Sequence, residues 1–227
     1  MGNQNGSVYG LTILSPILQD EKAATSHNCA IREYLAGLPN DERSPFARVS
    51  STHMARLVVM DDVVFVGHPS HEEHLKSQYL IFETNFDGDL DDYLKSLAAK
   101  VPDELHAVWQ HCSGYPGVKN VDAFVTYMKR CQVTTTFFFA DVNNKTVQQT
   151  LGALQAQAAV AQFIENNQGL QAAVLQKNFA EFLKKLGSAP APVAGRPERG
   201  GPPRLHTEMR WAAREERPEQ AKGAGTK

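Results

Sequence analysis

Two consecutive strand-like runs, each apolar on both of its faces, constrain the fold more than any other feature of the sequence. The runs are THMARLVVMD at residues 52–61 and QYLIFET at residues 78–84. Alternate side chains of a strand point to opposite faces, so the first run divides into His53, Ala55, Leu57 and Val59 on one face and Met54, Arg56, Val58 and Met60 on the other. A sheet built this way needs cover on both sides. Helices of the same chain can cover one face, and a second subunit or a ligand must cover the other.

The elements before these runs begin with a strand and continue with a helix. Residues 8–14, VYGLTIL, predict the first strand. Ser15 and Pro16 predict the start of the first helix, because Ser caps helix N-termini and Pro is tolerated at the first helical position. Apolar residues then recur at helical spacing as far as Leu38, where Pro39 follows.

Helix and strand signals continue after the second run. Asp89 predicts a helix cap, Pro102 divides the helix that follows, and Asn120 predicts the cap of a further helix. Residues 133–140, VTTTFFFA, predict a fourth strand because they are β-branched and aromatic. A long helical region follows over residues 147–186.

This order, β-α-β-β-α(αα)-β-α, predicts an α+β fold of the ferredoxin-like type. Its four-stranded antiparallel sheet carries helices on one face, and additional C-terminal helices extend the domain. We expect a disordered leader over residues 1–7, the ferredoxin-like domain with its helical extension over residues 8–187, and a disordered tail over residues 188–227. The tail is rich in Pro, Gly and Arg and holds half of the 12 prolines of the chain, which is typical of disorder.

Composition narrows the classes of partner and the compartment. The formal net charge is −2 and no basic stripe is visible, so we expect no nucleic-acid partner. No apolar run approaches the roughly 20 residues of a membrane-spanning helix, so we expect no membrane span. Cys29, Cys112 and Cys131 are few and widely spaced, which favours a reducing compartment and predicts a cytoplasmic location.

Three stretches of the sequence resemble a known group of proteins. These are THMAR at residues 52–56, YLIFETNFDGDLDDYL at residues 79–94, and W-x-HC-x-GYPG at residues 109–117. They resemble a largely bacterial, mostly uncharacterised family within the dimeric α+β barrel superfamily, which also holds dye-decolourising peroxidases, chlorite dismutases and small monooxygenases. The resemblance implies a homodimer of ferredoxin-like units, an oxidoreductase activity of the peroxidase or monooxygenase type, and haem as a candidate cofactor.

Within this resemblance, three residues are candidates for catalysis. Residues 84–88, TNFDG, match the last two fixed positions of the peroxidase motif Gly-x-x-Asp-Gly, which places Asp87 at the position that acts on peroxide. His53 can act as a ligand, base or hydrogen-bond donor inside the barrel, or can be a satisfied core histidine. Arg56 lies three residues later, so it points to the opposite face from His53 unless a bulge intervenes. The alternative for Asp87 is a purely structural turn and cap.

Six aromatic or histidine residues are candidates for ligand binding, namely Phe137, Phe138, Phe139, Trp109, His111 and Tyr115. The phenylalanines can form an aromatic wall for a flat apolar ligand, although a dimer interface would use them equally well. Trp109 and Tyr115 can instead be packing anchors, and the loop that carries His111 can line a barrel mouth.

A histidine-rich connection joins the two constraining strands. His68, His71 and His74 follow one another at intervals of three residues, with Glu72 and Glu73 between the last two, and such a spacing can hold zinc or nickel. A solvated loop explains the same residues, so no metal site is predicted.

These observations lead to two main hypotheses on function. The first is a dimeric α+β barrel protein that binds a small hydrophobic or planar ligand, with a haem-linked or monooxygenase-like oxidoreductase as its enzymatic form. The alternative is a non-enzymatic, self-associating interaction module whose disordered tail binds a partner. Metal-dependent hydrolysis would depend on the histidine-rich connection alone.

Overall fold

A computed structural model describes residues 2–19, 25–63, 67, 74–141 and 144–187 of the chain. The fold is α+β, and its open, four-stranded sheet is antiparallel throughout. The strands are β1 (Gln4–Asn5), β2 (Val8–Pro16), β3 (Thr52–Met60) and β4 (Tyr79–Asp87). Their order across the sheet is β1-β2-β4-β3, so β4 is a central strand and β3 lies at an edge.

Six α-helices and one short 3-10 helix accompany the sheet in the described residues. The α-helices are α1 (His27–Ala36), α2 (Leu90–Lys100), α3 (Pro102–Trp109), α4 (Val121–Arg130), α5 (Val147–Asn166) and α6 (Ala172–Gly187). The 3-10 helix, Pro45–Arg48, precedes β3. None of the described helices is long and apolar enough to cross a bilayer.

The core lies between one face of the sheet and helices α1 to α4. On β4 this face presents Leu80, Phe82 and Phe86, which are fully buried. The Phe86 ring stacks on Tyr93 of α2 with a centroid separation of 3.7 Å, and the Phe82 ring meets Trp109 of α3 edge-on at 5.5 Å. Burial of each such side chain stabilises the fold by about 1.5–3 kcal/mol.

The predicted helix boundaries after β4 are confirmed. The Asp89 side chain accepts hydrogen bonds from the N–H groups of Asp91 and Asp92, and it therefore caps α2. Pro102 occupies the first turn of α3, and the Asn120 side chain caps α4 through the N–H of Ala123. These caps satisfy N–H groups that have no partner within their own helix.

The predicted helix start at Ser15 and Pro16 is wrong. Strand β2 continues to Pro16, which lies opposite Tyr79, and α1 begins only at His27. The Ser15 side chain is fully buried, and its Oγ accepts a hydrogen bond from Nε1 of Trp109. Ser15 therefore satisfies a core tryptophan and does not cap a helix.

The predicted strand over residues 133–140 is also wrong. Backbone hydrogen bonds to β2 extend only as far as Val133, whose N–H donates to the carbonyl of Thr12. Beyond that point β1 takes the edge of the sheet, and the buried Asn3 donates from Nδ2 to the carbonyl of Gly10 and to Oγ1 of Thr135. Part of the predicted disordered leader, residues 1–7, is thus an edge strand. The predicted tail, residues 188–227, lies outside the described residues.

The second face of the sheet, which we call the open face, is covered at one end by described residues. The Phe138 ring lies over Gly10, where a Cβ atom would come within 2.8 Å of the ring. Met54 and Val58 of β3 are 46% and 40% exposed on this face. The sheet is therefore sheltered on its helix side and at the Gly10 end, while the β3 side of the open face meets solvent.

Helices α5 and α6 form a hairpin that contributes little to the core. The rings of Phe163 in α5 and of Phe179 and Phe182 in α6 pack together with centroid distances of 4.8–6.2 Å. Several large apolar side chains of the hairpin are exposed, including Leu154, Ile164, Val174, Phe179 and Leu183. The hairpin thus presents a second apolar surface.

We expect the Gly10→Ala substitution to destabilise the protein. The added methyl group would displace the Phe138 ring, and such overpacking costs about 1–3 kcal/mol. Urea denaturation followed by circular dichroism measures the loss. Gly152→Ala in α5 is the control, since no atom lies within 4 Å of the new Cβ and a helical alanine is favourable. Equal stability of Gly10→Ala and wild type would contradict the packing of Phe138 on β2.

Candidate functional site

A β-bulge brings the candidate catalytic residues to one face of the sheet. The register of β3 against β4 shifts between Thr52 and Met54, so His53 is the extra residue. Beyond the bulge, Met54 and Arg56 lie on the open face. His53 reaches the same face, where its ring bonds to Asp87. The strict alternation that would separate His53 from Arg56 is therefore broken at the bulge.

His53 and Asp87 form a hydrogen-bonded pair that the start of α5 holds in place. Nε2 of His53 lies 2.8 Å from Oδ1 of Asp87, and Oδ2 of Asp87 accepts a hydrogen bond of 2.7 Å from the N–H of Val147. Val147 is the first residue of α5, so its N–H has no partner within the helix. An ionised carboxylate only accepts, so Nε2 carries the hydrogen and Nδ1 is the basic nitrogen of a neutral ring.

Arg56 pairs with Glu83 directly across from it on β4. Nε of Arg56 donates to Oε2 of Glu83 at 2.7 Å, and Nη2 contacts the same oxygen. The side chain of Arg56 is 63% exposed, and such an exposed pair contributes about 0–1 kcal/mol to stability. Its guanidinium can therefore be drawn toward an anionic or polar ligand at little cost to the fold.

Apolar side chains surround these two polar pairs on the open face. Next to the exposed Met54 and Val58, the neighbouring strands add half-buried Leu14, Ile81 and Tyr79. The open face thus combines a row of polar groups with an apolar strip. This combination is typical of sites that bind small organic molecules, in which a few polar groups orient an apolar ligand.

A groove of about 480 Å³ runs beside β3 and reaches His53. Its walls come from three parts of the chain: the end of α1 and the following loop, the 3-10 helix, and β3 itself. The apolar lining includes Leu35, Leu38, Phe46, Ala55 and Leu57. His53 therefore lies where the groove and the open face meet.

The three phenylalanines of the predicted ligand wall are divided by the structure. Phe138 covers Gly10 on the open face, and its carbonyl accepts from Nδ2 of Asn5. Phe137 and Phe139 are 82% and 67% exposed. In this arrangement one ring borders the open face, and the other two do not form a wall beside it.

Trp109, His111 and Tyr115 lie on the helix side of the sheet, away from His53 and Arg56. Trp109 packs on Phe82 in the core. Burial raises the pKa of Tyr115 to about 12, and its ring meets that of Tyr127 in α4 at 5.8 Å. These contacts agree with the alternative that Trp109 and Tyr115 are packing anchors.

His111 pairs with a histidine that the sequence pattern did not single out. Nδ1 of His111 lies 2.9 Å from Nδ1 of His27, so one of these nitrogens must carry a hydrogen and the other must accept it. Burial lowers the pKa of His111, and the nearby His27 and His106 lower it further. This pair joins α1 to the loop after α3.

Part of the histidine-rich connection is described. Nδ1 of His74 lies 2.6 Å from Oδ2 of Asp62, and this bond, with the N–H groups of Leu75 and Val63, lowers the pKa of Asp62 to about 2. His68 and His71 lie outside the described residues. Within the ranges that the structure describes, no group of three or more His, Cys, Asp or Glu side chains could hold a metal ion.

A haem at the open face would need an axial ligand such as a histidine. Nε2 of His53 bonds to Asp87, which leaves Nδ1 as the ring nitrogen that could serve. Phe137 and Phe139 are exposed, so the predicted aromatic wall for a planar ligand is not formed.

Sequence reasoning identified His53 and Asp87 as candidate site residues but missed the contribution of α5. A signal for it was present, because Thr146 and Gln149 form a capping box that fixes the first turn of α5. That box leaves the N–H of Val147 to bond outside the helix, and Asp87 accepts it. Comparisons with protein-family models, curated proteins and solved structures find no match to this chain.

We expect Asp87→Ala to cost more stability than His53→Ala. Removal of the carboxylate leaves the Val147 N–H without its acceptor, a loss of about 1–3 kcal/mol, whereas His53→Ala leaves that bond intact. A double-mutant cycle by chemical denaturation should also give a coupling energy between His53 and Asp87 of about 0.5–1 kcal/mol. Equal costs with no coupling would contradict the geometry of this pair.

We expect the Cys112 thiol to resist alkylation in the native protein. Burial, and to a smaller extent Cys131, raises the pKa of Cys112 to about 12, so almost no thiolate is present at pH 8. Cys29 is exposed and serves as the internal control. Peptide mass spectrometry after brief iodoacetamide treatment should find label on Cys29 and almost none on Cys112 until the protein is denatured. Equal labelling of both would show that Cys112 is accessible.

Proposed function

We propose that this chain is a ferredoxin-like unit that pairs with a second copy through the open face and binds a small hydrophobic or planar molecule between the two sheets. The observation that carries the proposal is the composition of the open face. Exposed Met54 and Val58 adjoin the pairs Arg56–Glu83 and His53–Asp87 on one side of a single sheet.

The arrangement of the strands supports the ferredoxin-like part of the proposal. In the ferredoxin-like order the fourth strand lies beside the first and the second lies at the far edge. Here residues 131–133 bond to β2 on the side away from β4, while β3 is the far edge. The short strand β1 fills the rest of the edge that a complete fourth strand would occupy.

The exposure of the open face supports pairing with a second copy. A solvated face of an antiparallel sheet is normally polar, yet the β3 side of this face carries exposed Met54 and Val58. Two sheets packed face to face lie about 10 Å apart, which removes both faces from water. A two-fold pairing would also bring the polar pairs of both copies to a shared interior.

The polar groups define the kind of ligand. Arg56 and His53 favour a molecule with an apolar body and one acidic or hydrogen-bonding group. Nδ1 of a neutral His53 would accept a proton from such a group, while Asp87 stabilises the resulting imidazolium. This step moves a proton only, so an oxidoreductase activity would need molecular oxygen or a redox cofactor in addition.

We expect Val58→Glu to convert the protein to a monomer, because the substitution places a charge in the centre of the proposed interface. Light scattering coupled to size-exclusion chromatography measures the mass, and a fluorescent apolar dye such as anilinonaphthalene sulfonate reports the site. Val58→Glu should also weaken dye binding, whereas the matched control Leu183→Glu in α6 should change neither. A monomeric wild type would refute the proposed pairing.

The hairpin favours a second candidate function, the self-associating interaction module. Its exposed Leu154, Ile164 and Leu183 would form a helical interface between copies. In that case Leu183→Glu would dissociate the protein and Val58→Glu would not. The same two variants therefore separate the two functions.

A further inference from the structure

Two histidines face each other where the start of α1 meets the loop after α3. Nδ1 of His27 lies 2.9 Å from Nδ1 of His111, and the ring centroids are 5.2 Å apart with the ring planes tilted by 52°. A hydrogen bond between two ring nitrogens needs a hydrogen on one nitrogen and a lone pair on the other. The bond therefore exists only while one of the two Nδ1 atoms carries no hydrogen.

The two sides of this contact differ in how firmly the fold holds them. The backbone at His111 is fixed to the chain that leaves β2, because its carbonyl accepts a hydrogen bond from the N–H of Leu18. His27 is the first residue of α1, and Ile31 is the only buried residue among the ten described residues of that helix. The Ser26 side chain makes no capping bond to α1. The start of α1 is therefore the side that can move.

Other polar contacts of α1 lead to the end of β3. Nη2 of Arg32 donates to the carbonyl of Val59 and to Oδ2 of Asp61. Nδ2 of Asn28 donates to the other oxygen of the same carboxylate. The side chains of Arg32 and Asp61 are about half exposed, and such a pair contributes little to stability. Leu35 of α1 lines the groove beside β3, so a movement of α1 changes that groove as well.

The surroundings of the histidine pair disfavour a second proton. Burial, and then the nearby His27 and His106, lower the pKa of His111. His27 lies at the N-terminus of α1, where the helix dipole disfavours a positive charge. The loop beside His111 adds Cys112 and Tyr115, whose pKa values burial raises to about 12, so both are neutral in acid.

The described carboxylates around α1 do not offset this effect. Glu104 of α3 and Asp61 after β3 are each paired with an arginine. Asp103 of α3 and Glu33 of α1 are exposed. Residues 20–24, which precede α1 and include two acidic residues and a lysine, lie outside the described residues.

We propose that the contact between His27 and His111 is an acid-sensitive latch, which holds the start of α1 against the loop after α3 and releases the helix when both rings are protonated. Two imidazolium rings each carry a hydrogen on Nδ1, so the bond between them is lost and their charges repel. Because the pKa of His111 is lowered from its ordinary value of 6.5, the latch is closed above pH 6.5 and opens as the pH falls through the lowered pKa. This inference does not depend on the proposed function, which concerns the open face.

Hydrogen exchange of the full chain at pH 7.5 and pH 5.0 tests the latch, with His27→Asn as the decisive variant. The Asn amide can donate to a neutral His111 and accept from a protonated one, so the variant keeps the contact at both pH values without a second charge. At pH 5.0 we expect the peptide covering residues 29–38 to exchange about tenfold faster in wild type than in His27→Asn. At pH 7.5 the two should exchange equally.

The controls separate the latch from other effects of acid. Comparison of variants at one pH cancels the dependence of the intrinsic exchange rate on pH. His74→Asn is the matched control, because it removes a histidine that bonds to Asp62, and it should behave as wild type at both pH values. Helix α2 should exchange alike in all three proteins at each pH, which shows that each is folded.

Two exchange results would overturn the proposal. One is equal exchange of residues 29–38 in wild type and His27→Asn at pH 5.0. The other is acceleration of α2 together with α1, which would indicate unfolding of the whole domain. Proton NMR of the histidine rings gives a second readout, because loss of the neighbouring charge should let His111 of His27→Asn take up its proton at a higher pH than in wild type. The same titration of His111 in both proteins would contradict the latch.

Discussion

The burial of β4 on its helix side is the constraint on which the rest of the structure depends. Leu80, Phe82, Thr84 and Phe86 point into the core and are all fully buried. The Thr84 hydroxyl bonds to the hydroxyl of Tyr93 and so fixes the strand against α2. Because side chains alternate, this burial forces Glu83, Asn85 and Asp87 onto the open face. A shift of register by one residue would reverse both sets and would bury two carboxylates.

The polar pairs on the open face follow from that constraint together with the bulge in β3. Arg56 lies opposite Glu83, and the bulge brings His53 to Asp87. The first turn of α5 then completes the site through the Val147 N–H. Two separate parts of the chain, β3 and α5, thus bond to Asp87 through its two carboxylate oxygens, and a residue that only formed a turn could not make both bonds.

Much of this arrangement could be predicted from the sequence, and the failures have specific physical causes. The helix starts at Asp89 and Asn120 could be predicted from sequence, because each capping side chain bonds to an N–H group only two or three residues later. The helix start predicted at Ser15 was wrong because the Ser15 hydroxyl accepts a hydrogen bond from Trp109, a residue distant in sequence. The strand predicted over residues 133–140 was wrong because of another contact between residues distant in sequence. Residues of the N-terminus, Asn3 and β1, occupy the edge of β2 that this strand would need.

The candidate site was harder to foresee than the fold. His53, Arg56 and Asp87 were identified by residue type, but their common face depends on a bulge that no turn signal marks. His27 escaped notice because its partner, His111, is distant in the chain. Pairings of this kind are set by tertiary contacts, to which local patterns are insensitive.

The central claim is that a second copy covers the open face, and methionine oxidation tests it most directly. Met54 lies on that face and is 46% exposed in one chain, whereas Met128 in the core is fully buried and serves as the reference. Brief peroxide treatment over a range of protein concentrations, followed by peptide mass spectrometry, measures the extent of oxidation of both methionines. The account predicts that Met54 is protected at high concentration and becomes reactive on dilution. Rapid oxidation of Met54 at every concentration would contradict it.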